Sequence, residues 1–298
     1  MTARAETSLR LPVPLNALKN IIVFLLKSPT SAFGLFILLL LVIAAIFAPW
    51  LATHDPYVQD LAKTLQPPGN GHFFGTDELG RDIYSRLLWG ARITLTIISL
   101  VSIIVGPVGL LVGTASGYLG GKFDTVMMRI TDIFLSFPSL ILSLAFVAAL
   151  GPSLNNAIIA IALTSWPPIA RLARAEAMTF RKADYIAAAR LQGASPLRII
   201  VKSIMPMCLP SVLIRLTLNM ATVILTAAGL GFLGLGDPEL PSWGQLLALG
   251  RHTSTPTLVV APGLAILGVV LTVNRLGDAV RARLVDRDGA RAPEGSTP

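Results

Sequence analysis

Apolar residues in this chain come in long unbroken blocks, with few of the alternations that mark half-buried strands. A helix that crosses a bilayer needs about 20 predominantly apolar residues. Six blocks of that size follow one another at 33–53, 94–116, 126–150, 154–172, 208–236 and 257–279. The pattern predicts an all-α polytopic membrane protein with six transmembrane helices. Pro138, Pro167 and Pro168 are expected to kink their helices and free carbonyls. The fifth block is long and ends in Gly229, Gly231, Gly234 and Gly236, so part of it is expected to bend or leave the bilayer.

The polar stretches between the blocks set the orientation. Lys and Arg collect on the cytoplasmic side of membrane proteins. With the N-terminus inside, the outside holds only Lys63, Arg81, Arg86, Arg92 and Arg251 of the 24 Lys and Arg residues, and Arg215 lies within the fifth span. Both termini are therefore expected in the cytoplasm. The basic start lacks a small-residue cleavage site, and the first apolar run is longer than a signal-peptide core, so it reads as a retained anchor. The resulting order is a cytoplasmic segment 1–32, the first span 33–53, a periplasmic segment 54–93 with an amphipathic helix, and a transmembrane domain 94–282. Within that domain lie a basic cytoplasmic loop 173–207 and an outer re-entrant segment 237–256. The tail 283–298, rich in Arg, Ala, Gly, Ser and Pro, reads as disordered.

One polar stretch is long, cationic and helix-forming. Tyr185, Ala188, Ala189 and Gln192 share one helical face, and Gly193 suits the left-handed position that ends a helix. Ser195 then reads as an N-cap with Pro196 in the first helical position. The second helix carries an apolar stripe of Leu197, Ile200, Val201 and Ile204, with Arg198 and Lys202 on its other side. An exposed stripe of that kind is unfavourable in water unless another protein or the bundle covers it.

Composition agrees. The 298 residues are 53% hydrophobic and 13% charged, with mean hydropathy +0.71, against roughly 25% charged in soluble domains. The net charge of +8 follows from membrane topology, so no nucleic-acid partner is implied. A single Cys208 excludes a disulfide framework, and His54, His72 and His252 are too dispersed in sequence to predict a metal cluster. Gly120-Gly121-Lys122 is followed by Phe123, without the spacing or the Ser/Thr of a phosphate loop. Neither a His-Glu-x-x-His metal motif nor a Ser/His/Asp set is present, so no catalytic residue is assigned.

Charged residues in or near spans are candidates for lining a pathway. Arg215 and Asn219, one turn apart in the fifth block, are the better pair, although Arg215 has the length to snorkel. Arg129 and Asp132 are spaced for an interfacial salt bridge or a gate contact, and Asp278 and Arg281 for another interfacial pair. Before the second span, Thr76 or Asp77 is placed to cap a helix carrying Ile83, Leu87, Leu88 and Trp89 along the membrane surface. Asp77, Glu78, Arg81 and Asp82 there admit a metal or substrate site, or mutual pairing at a solvated surface.

Four segments carry a family resemblance. Ala187-Ala188-Ala189-x-x-x-Gly193, closed by Pro206, resembles the EAA loop of bacterial ABC importer membrane subunits. Phe73-Phe74-Gly75-Thr76-Asp77-Glu78-Leu79-Gly80-Arg81-Asp82, continuing to Arg92, is similar almost throughout to the segment before the second span in the C-type permease subunits of dipeptide, oligopeptide and nickel importers. Leu230 to Gly236 with Pro241-Ser242-Trp243-Gly244, and Pro262 to Arg281, resemble the same subunits. Ala187 and Ala227 stand where the pattern often has Glu, and Gly231 where it often has Ser, so contacts made by those side chains are not carried over.

The resemblance implies a type I ABC importer fold and a multi-pass permease in the bacterial inner membrane. It would work by alternating access with a homologous second permease subunit. Tyr185, Ala188, Ala189, Gly193, Ser195, Pro196, Leu197, Arg198, Ile200 and Val201 would engage two cytoplasmic ABC ATPase subunits, and those subunits would bind ATP and Mg²⁺. This chain would carry no cofactor. A periplasmic or lipid-anchored solute-binding protein would deliver a dipeptide or oligopeptide, or alternatively nickel or another small solute. The competing class, an ATP-independent secondary transporter or channel, predicts repeated halves and acidic residues deep in spans, and neither is evident.

Overall fold

Proline and glycine, more than hydropathy, decide where the helices stop. The computed structural model describes residues 29–69, 71–253 and 255–289. Among these residues the only β-pairing is two isolated bridges, Gly69 with His72 and Thr76 with Asp82. The first described helix, α1 (Pro29–Leu51), carries no charged residue and is apolar from Ala32 onward. It is followed by an irregular segment holding one short 3₁₀ turn, Leu61–Lys63, capped by Asp60.

The helix α2 (Ile83–Leu119) has 37 residues, about 55 Å at 1.5 Å per residue. That exceeds the roughly 30 Å hydrocarbon core, so an untilted α2 would extend beyond it. Its cap is Asp82, whose side chain accepts from the Ser85 amide, and neither Thr76 nor Asp77 fills that role. The apolar residues Ile83 to Trp89, expected to form a separate surface helix, are instead the first turns of α2.

Two of the expected spans are broken. Residues 126–150 fall on α3 (Gly121–Leu135) and α4 (Ser139–Leu150), which meet at 90°. Pro138 lies at the bend, where its ring restricts the preceding residue and it has no N–H to continue the helix. Residues 154–172 fall on α5 (Leu154–Ser165) and α6 (Pro167–Phe180), divided at Trp166 before the two prolines. Ser153 caps α5, and Asn156 donates to the carbonyls of Leu150 and Gly151, satisfying the end of α4.

The chain then makes α7 (Asp184–Leu191) and α8 (Pro196–Ile199), passes through a π-helical turn at Ile200–Ile204, and enters α9 (Met205–Phe232). The fifth block thus stays helical to Phe232, and Gly234 then takes a positive φ of 80°. A short α10 (Trp243–Gly250), capped by Ser242, lies within the segment expected to be re-entrant. The last helix, α11 (Thr257–Gly289), runs past the boundary at 283 where disorder is expected from composition. The breakers Pro293 and Gly295 come only later in sequence, and 290–298 lie outside the described residues.

Among the described residues, four helices are long and apolar enough to cross a membrane, or five if the bent α3–α4 pair counts as one span. Large apolar side chains stand exposed along α1, α2 and α11, among them Phe36, Ile43, Trp50, Ile103 and Leu264. This is favourable in lipid and not in water.

Two apolar clusters hold the bundle. One joins α2, α5, α6 and the basic loop at 184–204 through Val101, Val105, Ile161, Ile169, Ile186, Ile199 and Ile204. The other joins α1, the start of α2, α10 and α11 through Leu41, Ile83, Ile98, Trp243, Leu246 and Leu258. The most extensive helix contact is α2 against α6. Gly109, Gly113 and Gly117 recur every fourth residue on α2, opposite Ile169, Ala170, Ala173, Arg174 and Ala177. Small residues at this spacing let two backbones approach, and a Cβ on Gly113 would sit 2.3 Å from the Ala170 carbonyl oxygen.

Candidate functional site

The basic loop folds as a helix, a tight reversal and a second short helix. Gly193 adopts φ +78°, which favours glycine. Its amide donates to Arg190 O (3.0 Å), and the Ala194 amide donates to Ala189 O (3.1 Å). This is the hydrogen-bond pair of a Schellman reversal. Ser195 Oγ accepts from the Arg198 amide, and Pro196 occupies the first helical position of α8.

The expected apolar stripe is divided between two environments. Ile200 and Ile204 are buried with Ile199, which the helical spacing did not single out. Leu197 and Val201, one turn apart, remain 68% and 47% exposed, and Leu191 at the end of α7 is 90% exposed. The π-helical turn adds a residue to the loop's winding, so spacing for a regular α-helix puts inner and outer residues on one face. On α7, Ile186 is fully buried and Ala189 half-buried, while Tyr185, Ala187, Ala188 and Gln192 face outward. Partial burial, with Cys208 close by, raises the Tyr185 hydroxyl pKa above its ordinary value. Arg198 is exposed beside Lys202, and a groove between the loop and α9 is lined by Ala189, Gln192, Ala194, Ile199, Val201 and Pro206.

Arginines tie this loop and α6 to the neighbouring helices. Arg190 Nε donates to Tyr118 Oη at 3.2 Å with its guanidinium over the ring, and Arg181 donates to Gly117 O at 3.1 Å. Arg174 makes a two-pronged pair with Asp124 (2.5 and 2.6 Å). Arg171 pairs with Asp132. The expected Arg129–Asp132 pair is therefore replaced by a contact between helices, and Arg129 is exposed. Among the described residues no ion pair joins Asp278 to Arg281, and both side chains are exposed. Arg215 is exposed on α9, with Asn219 half-buried one turn further on.

At the opposite end of α2, the segment expected to be a solvated ionic surface is a buried polar knot. Asp77 accepts from the amides of Leu79 and Arg81 (both 2.9 Å) and from Arg81 Nε at 2.8 Å. Arg86 donates to Pro56 O at 3.1 Å and Gln245 Oε1 at 3.0 Å, linking α2 to α10. Trp243 Nε1 donates to Leu87 O (2.9 Å), and Thr257 to Phe74 O (2.8 Å). Gly80 permits this closure: its φ is +72°, and a Cβ there would lie 1.8 Å from Asp60 O. Burial of Asp82 favours its protonated form. Hydrogen bonds from the Ser85 side chain and amide and from His72 outweigh that effect and hold its pKa below the ordinary value.

Two of the three histidines, dispersed in sequence, meet on folding. The knot brings His54 and His72 to Asp82, with ligand atoms all within 4.8 Å of one another. Spacing in sequence does not report contacts made across an irregular loop.

The chain resembles known proteins in sequence and in fold. Residues 106–286 match a family model described as binding-protein-dependent transport system inner membrane component. Residues 19–68 match the N-terminal TM domain of oligopeptide transport permease C. A probable D,D-dipeptide transport system permease protein of Escherichia coli K12 is 42% identical, over 91% of this chain and 92% of its own length. A di/tripeptide transport system permease protein of Pseudomonas aeruginosa is 44% identical, over 84% of this chain and 86% of its own. A nickel transport system permease protein of Escherichia coli K12 is 37% identical, over 88% and 96%. Among solved structures, the inward-facing MetNI methionine ABC transporter shares the fold with a TM-score of 0.57, over 67% of this chain and 97% of that one, at 24% identity.

Proposed function

We propose, because the chain belongs to the family of binding-protein-dependent transport system inner membrane components, that it is the permease subunit of an ATP-driven peptide importer. Peptide is the substrate class because the relatives named for dipeptides and di/tripeptides are 42% and 44% identical, against 37% for the nickel permease. The observation that carries the mechanism is the docking loop: a Schellman-turned helix pair that leaves Leu191, Leu197 and Val201 exposed. A chain with no phosphate loop of its own needs ATP hydrolysis on another protein, and an apolar surface beside Arg198 and Lys202 fits a groove on such a partner.

In this reading the membrane is crossed six times, by α1, α2, the α3–α4 pair, the α5–α6 pair, α9 and α11. Both termini and the docking loop face the cytoplasm of a bacterial inner membrane, and α10 shapes the outer mouth. Two ATPase subunits close on ATP and Mg²⁺ and move the docking loop. Ile186, Ile199 and Ile204 bind that loop to the first apolar cluster, while Arg174, Arg181 and Arg190 carry its displacement to α2 and α3. The transport path forms against a homologous second permease, with Arg215 and Asn219 lining it and Arg129 and Asp132 near its inner end. An outer solute-binding protein supplies the peptide.

Reconstitution of the chain with its partner subunits in proteoliposomes tests this reading. Uptake of a labelled dipeptide is expected only with ATP and the solute-binding protein. Uptake by this chain alone without ATP would contradict it.

A further inference from the structure

We propose that His54, His72 and Asp82 bind one divalent transition-metal cation of the zinc type, at the end of α2 opposite the docking loop. This site does not depend on the transport reading. Three chain segments supply it: the residues just after α1, the loop before α2, and the cap of α2. Asp82 divides its carboxylate between two tasks. Oδ2 accepts from the Ser85 amide (2.8 Å) and hydroxyl (2.6 Å), while Oδ1 faces the imidazoles. His72 Nδ1 lies 2.9 Å and His54 Nδ1 4.0 Å from that oxygen.

A lone histidine–carboxylate hydrogen bond would account for His72 and Asp82. The second imidazole is stacked on the first with centroids 4.4 Å apart and planes 28° from parallel, and its Nδ1, 3.1 Å from Thr53 Oγ1, would exchange that contact for the metal. His54 is not loosely placed, because its amide donates to Ser85 Oγ (3.1 Å) within the same cap. Two nitrogens and one carboxylate oxygen are a donor set that zinc takes with short bonds of about 2.0–2.2 Å. The three atoms already lie close to one another, and the exposed side of His54 leaves a fourth position for water. The bound ion would clasp the outer end of α1 to the start of α2.

The test is zinc titration of the full chain, purified without a polyhistidine tag after chelator treatment, with thermal unfolding as a second readout. One zinc per chain is expected, with a higher melting temperature on binding. His54→Ala, at an exposed side chain, should weaken affinity at least tenfold and abolish the zinc-dependent melting shift, while His252→Ala should leave both unchanged. Equal affinity in the native chain and His54→Ala, no zinc bound at micromolar concentrations, or a loss confined to His252→Ala would each overturn the proposal.

Discussion

The α2–α6 contact predicts a measurable cost for a single methyl group. A Cβ on Gly113 would lie 2.3 Å from Ala170 O, 2.7 Å from Ala173 Cβ and 2.9 Å from Arg174 N, whereas ordinary contact begins at 3.4 Å. Two of the three obstacles are backbone atoms, so no rotamer change relieves them. The helices must separate by about 1 Å, and overpacking of this kind typically costs about 1–3 kcal/mol. Alanine also improves helix propensity over glycine by up to ~1 kcal/mol, which would mask part of that cost. Gly263→Ala on α11 supplies the correction, because a Cβ there meets nothing within 4 Å. The difference between the two variants isolates the clash. Unfolding of the purified chain in detergent should show Gly113→Ala less stable than Gly263→Ala by about 1–3 kcal/mol. Adding Gly117→Ala should cost less than its single effect, since the helices are already apart. Equal stability for Gly113→Ala and Gly263→Ala would refute the tight contact.

Three further outcomes follow from the site geometry. The Asp124–Arg174 pair is two-pronged and partly buried, so a double-mutant cycle with Asp124→Asn and Arg174→Gln should give a coupling of about 1 kcal/mol. The same cycle on the more exposed Asp132–Arg171 pair should give at most a few tenths. Gly193→Val forces a β-branched residue into φ +78° with no neighbour to clash, a cost on the order of 1–2 kcal/mol. It should appear as faster amide exchange at Ala194, and Gly193→Asn should be milder. Asp82 has a folded pKa below its unfolded value, so its stabilisation is present above about pH 4 and lost as pH falls through the folded value. Acid melts of the native chain should show that loss, and Asp82→Asn should lower stability at neutral pH and flatten the acid dependence.

The apolar blocks made the membrane character and most helices legible, because lipid selects for composition over some 20 residues at a time. The Gly193 reversal and the Ser195-Pro196 start were equally readable, since each depends on a local backbone requirement that few residues meet. What escaped depends on contacts distant in sequence. Asp132 is three residues from Arg129 yet pairs with Arg171 from another helix. The ionic residues before α2 resemble a solvated cluster until Pro56, Gln245 and Trp243 close over them. The α2 glycines at 109, 113 and 117 carried a readable every-fourth-residue signal. Ile199 was missed because a π-helical turn shifts which loop residues face inward, and no regular spacing anticipates that turn.

The central claim is that the exposed apolar turn of the docking loop receives an ATPase. Leu197 is the residue to change, because it is 68% exposed and contributes little to the folded chain itself. Purification of the assembled complex carrying Leu197→Asp, with the melting temperature of the permease monitored in parallel, measures that contact directly. The expected result is a folded permease that has lost the ATPase. An ATPase retained at native stoichiometry would contradict the account.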